Sequence, residues 1–413
     1  MKNLRIVFVF LLFFSLAESP VNNSYYVSPT GKDTSSGVLT SPWKTIQKCL
    51  NTARGGDSCL IRAGTYNESL SIKTGGVSGS PITIQNYNNE IVTVNSGNSM
   101  SLVTTGHQSY YVISGLRFVS TISGGEGTYT IDLSKGLTYS PTAIGDGNGN
   151  IVLKDCYVEG AILLYGPNNT VQDCELSGRN VLNDGITSNG LSSPNVDIKN
   201  NAIHDYLGKA VELNGTADNA LVIGNEIYNT YLGIDVDGAG RPVTNAHVLN
   251  NTIYHTGGIY NGDFHAGWGC SIFLENAFNA IVSWNLIYGS PKADGIYITN
   301  YGVGGGNPSF HTAGNIEYRN QNLNTVISNN TIYGQGRAMQ VTSANGVLLY
   351  NNTITGTIIM NGDTSDAGVT YYPQNWMVKN NSFLGTGPEW SFANSADNVS
   401  SYLANIYWGG ITP

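Results

Sequence analysis

The chain has 413 residues, of which 51 are Gly and 49 Asn; charged residues make up only 11%, and the formal net charge is −9. So few charges argue against a helix-rich or coiled-coil protein, whose solvated faces need Glu, Lys and Arg. With only 19 Lys plus Arg and no cluster among them, no nucleic-acid partner is expected.

In chain order, residues 1–19 read first as a secretory signal. Lys2 and Arg5 precede an apolar stretch over 6–16, with Ser15 and Ala17 near a cleavage point. That stretch is too short to span a bilayer comfortably. No later segment is apolar for long enough, so a secreted monomer without a membrane span is expected. Export favours disulfides. Cys49 falls in a short amphipathic helix, and Cys59 in the strand that follows. A bridge between them would pin the helix to that strand. Cys156 and Cys174 occupy equivalent repeat positions and either pair or merely stack, while Cys270 is left over as a buried thiol.

From about residue 150 a short phrase recurs: DIKNNAI at 197–203, HVLNNTI at 247–253, VISNNTI at 326–332, LLYNNTI at 348–354 and MVKNNSF at 377–383. Aligning it with weaker copies puts Cys156, Cys174, Asn201, Asn225, Asn251, Asn285, Asn330, Asn352 and Asn381 in one column. A second phrase alternates with it: DGITS at 184–188, KAVELNG at 209–215, LGIDVDG at 232–238, CSIFLEN at 270–276, DGIYITN at 294–300 and RAMQVTS at 337–343. Each copy is a short period-2 strand. Repeats of this length with no room for helices predict an all-β parallel solenoid. Asn suits its corners because it tolerates left-handed dihedrals and its amide can bond the same corner one rung away, so the Asn column reads as a structural ladder.

The chain here resembles the right-handed parallel β-helix proteins of pectin-lyase type. Residues 25–68 look like the capping unit of secreted polysaccharide lyases of that superfamily, which implies a helix over about 42–53 that plugs the open end of the core. The expected organisation is a signal at 1–19, cap and first rung at 20–70, β-helix repeats at 71–384 and a closing tail at 385–413.

In that superfamily the second-phrase strands form the substrate groove. Alternation sends Val211, Leu213, Ile234, Val236, Ile272, Leu274, Ile296 and Ile298 inward. The outward column is then Thr187, Glu212, Asp235, Phe273, Tyr297 and Gln340. A second outward column holds Asn189, Asn214, Asp237, Glu275, Thr299 and Thr342. Rungs lie ~4.8 Å apart, so Glu212, Asn214, Asp235, Asp237 and Glu275 gather into one patch. Oxygen-only ligands of this kind suit Ca²⁺; the same acids also read as solvated carboxylates on a wet sheet. Insertions at 257–269 and 301–324 flank these strands. Their His265 and Trp268, with Phe273 and Tyr297 on the strands, offer sugar-binding surfaces, although such aromatics also pack loops onto sheets.

The resemblance implies a polysaccharide substrate and a Ca²⁺-assisted β-elimination, with Lys or Arg as base. Arg241 and Lys209 are the candidates, Lys292 a weaker third, and each reads equally well as a salt-bridge partner of the acids. Two other functions fit the same residues. One is a glycoside hydrolase using Glu212 and Asp235, the other a non-catalytic carbohydrate-binding protein. A C5-epimerase would use nearly the lyase site.

Overall fold

Among the described residues the period-2 segments resolve into short parallel strands in two large sheets, one of 14 strands and one of 23, with three two-stranded sheets besides. The computed structural model describes residues 22–104, 108–121, 129–133, 149–181, 184–188, 193–215, 217–238, 241–257, 269–300, 302–303, 316–317, 321–364, 370–384, 390–392, 399–403 and 406–408. One rung shows the plan. Asp197–Lys199 lies in the first sheet, Asn200 and Asn201 turn the corner, and Ala202–Asn214 runs along the second sheet with an irregularity between Tyr206 and Lys209. A second corner leads to Leu221–Ile223, which pairs back onto Asp197–Lys199. The expected inward residues of the second phrase, Val211 through Ile298, are all 0–1% exposed. Each such Ile, Leu or Val contributes about 1.5–3 kcal/mol by leaving water.

Left-handed backbone turns the corners, most often at Asn and, where the buried ladder runs, at the residue before each ladder position. Asn201, Asn225, Asn251, Asn285, Asn330, Asn352 and Asn381 form the expected ladder, every one 0–2% exposed. From Asn225 onward each Oδ1 accepts both the backbone and side-chain N–H of the preceding Asn, as Asn251 does from Asn225 at 3.0 and 2.9 Å. Each Nδ2 also reaches a carbonyl one rung back, as Asn251 does to Val222 at 2.9 Å. The cysteines extend the ladder by stacking without a bond: Cys156 and Cys174 are free, and the Cys156 N–H donates to Cys174 Sγ at 3.4 Å. At the other corner Asn168, Asn195, Asn219 and Asn245 make a second, exposed ladder, each amide bonding the previous one at 2.9–3.2 Å.

The cap is shorter than its sequence suggests. The helix spans Ile46–Thr52, because Trp43 is held in a bridge with Val27 and Thr45 acts as N-cap, accepting from the Lys48 N–H at 3.2 Å. Glu68 closes the same end by accepting from the Ile46 and Gln47 N–H groups at 3.0 Å. Cys49 and Cys59 are bonded, with Cα atoms 6.0 Å apart. Replacing both with Ser is expected to cost about 2–3 kcal/mol in the chain-entropy model. Urea titration with and without reductant checks this, since only the parent protein should lose stability on reduction. No helix among the described residues is long and apolar enough to cross a membrane; residues 1–21 lie outside the described set. Past Leu384, where the repeat phrase stops, Trp390–Phe392, Val399–Leu403 and Ile406–Trp408 still pair in parallel with the preceding rung.

Candidate functional site

Strand register places the expected outward residues side by side. Thr187, Glu212, Asp235, Phe273, Tyr297 and Gln340 are successive partners across five strand pairs. Asn214, Asp237, Glu275, Thr299 and Thr342 are partners two residues on; Asn189 lies outside the described residues. Carboxylate oxygens of Glu212, Asp235 and Asp237 come within 4.8 Å of one another. Lys209 enters this group from the start of its own strand, bonding Glu212 Oε1 and lying 2.8 Å from Asp235 Oδ2. Its backbone N–H is fixed by Asp184 Oδ1 at 2.7 Å. Asp235 is 2% exposed, and its Oδ1 is buried without a hydrogen-bond partner. A desolvated carboxylate oxygen left like this is costly unless a cation takes it. Three carboxylates at this spacing match the all-oxygen donor set of a hard divalent cation.

The electrostatics follow from burial and crowding. Burial raises the Asp235 carboxyl to about 7, with the like charges of Asp237 and Glu212 adding and Lys209 only partly offsetting. Glu275, next in register to Asp237, is pushed well above the usual carboxylate range by burial and then by Asp237 and Asp235. Burial works to lower the Lys209 ammonium, but the charges of Asp235 and Glu212 outweigh it and hold it well above its ordinary value. In this arrangement Lys209 is an ammonium ion that neutralises the acids and is not a ready base.

The remaining expected residues divide. Arg241 turns away from the acid group to Asp218, with Nη2 3.1 Å from Oδ2 and 46% of its side chain exposed. Thr244 holds the same Asp218 through its N–H and hydroxyl, at 2.8 and 2.7 Å, so Arg241 belongs to a corner network. Tyr297 is 4% exposed and stacks on Phe273 at 4.9 Å, inside a small apolar cluster with Tyr231, Leu232 and Cys270. It therefore supports Phe273 and does not offer its own face to a sugar. Cys270 is buried as expected, but in this outer cluster and not in the solenoid core. His265 and Trp268 lie outside the described residues.

Two features escaped the sequence reading. Tyr129, in a stretch without a repeat phrase, has its hydroxyl pushed up to about 12 by burial and then by the charges of Glu212 and Asp184, which places it beside the acid group. Arg337 bonds Asp294 through two edges, Nε to Oδ1 at 2.5 Å and Nη2 to Oδ2 at 2.9 Å. Their rung positions were visible in the second phrase, but pairing needs register. This guanidinium sits three rungs beyond Asp235, roughly 14 Å along the axis.

Comparison with known proteins bears on this geometry. Residues 144–303 match a family model described as a right handed beta helix region. The chain is 27% identical over 234 residues to the uncharacterized protein YwoF of Bacillus subtilis (strain 168), covering 54% of this chain and 46% of that protein. It thus spans about half the length of that curated relative. Among solved structures, the PL6 family alginate lyase AlyGC superposes with a TM-score of 0.60 at 15% identity, over 93% of this chain and 51% of that one. The GH136 lacto-N-biosidase from Eubacterium ramulus superposes with a TM-score of 0.55 at 12% identity, over 94% and 68%. At such identities the structural likeness establishes the fold.

Proposed function

We propose that the chain, a right-handed parallel β-helix protein of the pectin lyase-like superfamily, is a secreted polysaccharide lyase that cleaves uronic-acid-containing chains by β-elimination. The observation that carries this reading is Asp235 Oδ1, buried and unpartnered within 4.8 Å of two further carboxylates and beside a lysine. Glu212, Asp235 and Asp237 would hold Ca²⁺, with Asn214 and Glu275 alongside in register. The bound cation would supply neutralisation of the substrate carboxylate, which makes the C5 proton acidic. In the elimination a base removes that proton, the C–H electron pair forms the C4–C5 double bond, and the C4–O4 bond breaks with O4 taking up a proton. Among the described residues Lys209 is the amine that reaches this group, 2.8 Å from Asp235 Oδ2, and it would take the part of the base. Only its carboxylate partners hold its proton, so it becomes basic when they are otherwise engaged. Arg337, fixed by Asp294, would meet the carboxylate of another sugar along the chain.

A specific observation also favours a glycoside hydrolase. The Glu212 and Asp235 oxygens lie at a spacing suited to a retaining carboxylate pair. The AlyGC and lacto-N-biosidase likenesses are consistent with either chemistry. Incubation with uronic-acid and neutral polysaccharides, with and without chelator, separates the two. Chelator-sensitive ultraviolet absorbance from an unsaturated product is the expected result. Reducing ends without unsaturation would assign hydrolysis, and altered uronate composition without cleavage would assign epimerisation. If every substrate stayed intact while Asp235→Ala still bound glycan, both enzyme readings would fail.

A further inference from the structure

The corner that carries the buried Asn ladder has a second column, formed by the residue immediately before each ladder position. It reads Asp155, Asp173, Asn200, Gly224, Asn250, Trp284, Asn329, Asn351 and Asn380, and all nine have left-handed backbone, with φ between 52 and 70°. Eight of the nine are the residue types that tolerate this region, whereas a bulky side chain there is a genuine outlier. Trp284, at φ 62°, is also 63% exposed.

Nothing in the corner calls for an indole. The backbone is imposed by neighbouring rungs: the Trp284 N–H donates to the Ser328 carbonyl at 3.2 Å, and the Asn250 N–H to the Ser283 carbonyl at 3.0 Å. The next residue, Asn285, is locked in the buried ladder by bonds to Asn330 and Val248 at 2.9 Å. Trp284 is thus strained, wet and surplus to the scaffold. Strain of this kind persists where the surroundings over-determine it, and it clusters at functional positions.

We propose that Trp284 is a polysaccharide contact on the corner away from the acidic face, where the indole takes the apolar C–H face of a sugar ring. Its neighbours along the axis are Asn250 and Asn329, while Ser283 and Ser328 next to the corner are buried with their hydroxyls 2.9 Å apart. A flat apolar ring bracketed by amides matches a sugar, which has an apolar face and a polar rim. A protein partner of ordinary size needs a contiguous apolar patch of several hundred Å², and this column is otherwise polar.

The sheet that starts at this corner adds a track in the same direction. His204, Tyr228, Tyr254, Tyr288 and Tyr333 stack in register at centroid spacings of 4.8 to 5.4 Å, with planes within 15° of parallel. Rings stacked in this way cover one another's faces and present edges and hydroxyls. Trp284 is therefore the flat ring of this corner, and the phenols line a polar track along the axis for an extended chain.

The inference does not depend on the chemistry assigned to the acid group. Native gels cast with alginate, polygalacturonate, xylan or no polymer test it on the full chain, Trp284→Asn and Trp284→Phe. At least one polymer should retard the parent. Trp284→Asn should bind about three- to tenfold more weakly and Trp284→Phe should keep part of the affinity. Because Asn suits the backbone, the Tm of Trp284→Asn should rise by about 1–3 °C. A lowered Tm would make the indole structural. Unchanged retardation, or no retardation of the parent by any polymer, would overturn the proposal. Concentration-dependent self-association that Trp284→Asn abolishes would assign the ring to a protein contact instead.

Discussion

Asn251→Ala is expected to destabilise the protein by about 3–5 kcal/mol, although residue 251 touches no groove residue. Its Oδ1 accepts two donors of Asn225, and its Nδ2 donates to the Val222 carbonyl at 2.9 Å and to Asn285 Oδ1 at 3.0 Å. Alanine would leave the two Asn225 donors buried without partners, at about 1–3 kcal/mol each, before any cavity term. Aspartate cannot substitute, because it accepts but does not donate and would place a charge in the core. The control is Asn245→Ala in the exposed ladder. There water replaces the lost bonds, and the cost is about 1–2 kcal/mol for holding Ala in left-handed backbone at φ 57°. Equilibrium urea unfolding with hydrogen exchange on adjacent rungs decides the matter. Equal losses in the two variants would mean that the buried amides are not what joins the rungs.

Asp235→Asn is expected to lower turnover by at least about 10²–10³-fold if the lyase reading holds, because it removes a charge aimed at the reacting centre while keeping the side-chain volume. The pH dependence follows from the raised carboxyl. Asp235 binds its proton more tightly in the folded chain than in the unfolded one. The cation-free protein therefore loses this group's stabilising contribution as pH rises from about 4 to about 7. A cation needs the ionised form, so Ca²⁺ affinity should strengthen by up to about tenfold per unit as pH rises towards 7, then level off. Asp235→Asn should flatten both trends. Calorimetric Ca²⁺ titrations at pH 6 and 8 check this, and affinity independent of pH would remove Asp235 from the ligand set.

The scaffold was legible because its signals are local and periodic. Alternation at Val211 and Leu213 names the inward residues without any partner being known, and the recurring Asn names the corner. From those two facts the columns through Glu212, Asp235 and Phe273 follow by counting, and strand register bears them out. What counting does not supply is side-chain direction. Lys209 and Arg241 are alike as cations near the acids, yet one lies among them and the other across a corner on Asp218. Tyr297 sits in an outward column but is covered by its neighbours, and outwardness on a strand does not imply exposure once an apolar cluster forms there. Tyr129 carries no repeat signal, so only folding brings it to Glu212.

The buried ladder has a consequence for how such a chain changes over generations. Successive ladder residues are separated by as few as 22 and as many as 45 positions, yet they make the same amide bonds at 2.9–3.0 Å. The hydrogen bonds register rungs and are blind to the chain length between them. Segments between ladder positions can therefore lengthen, shrink or be exchanged without shifting the frame, and a whole rung can be duplicated with its bonds re-formed on either side. The amide bonds define a frame, and the chain length between them is a separate variable.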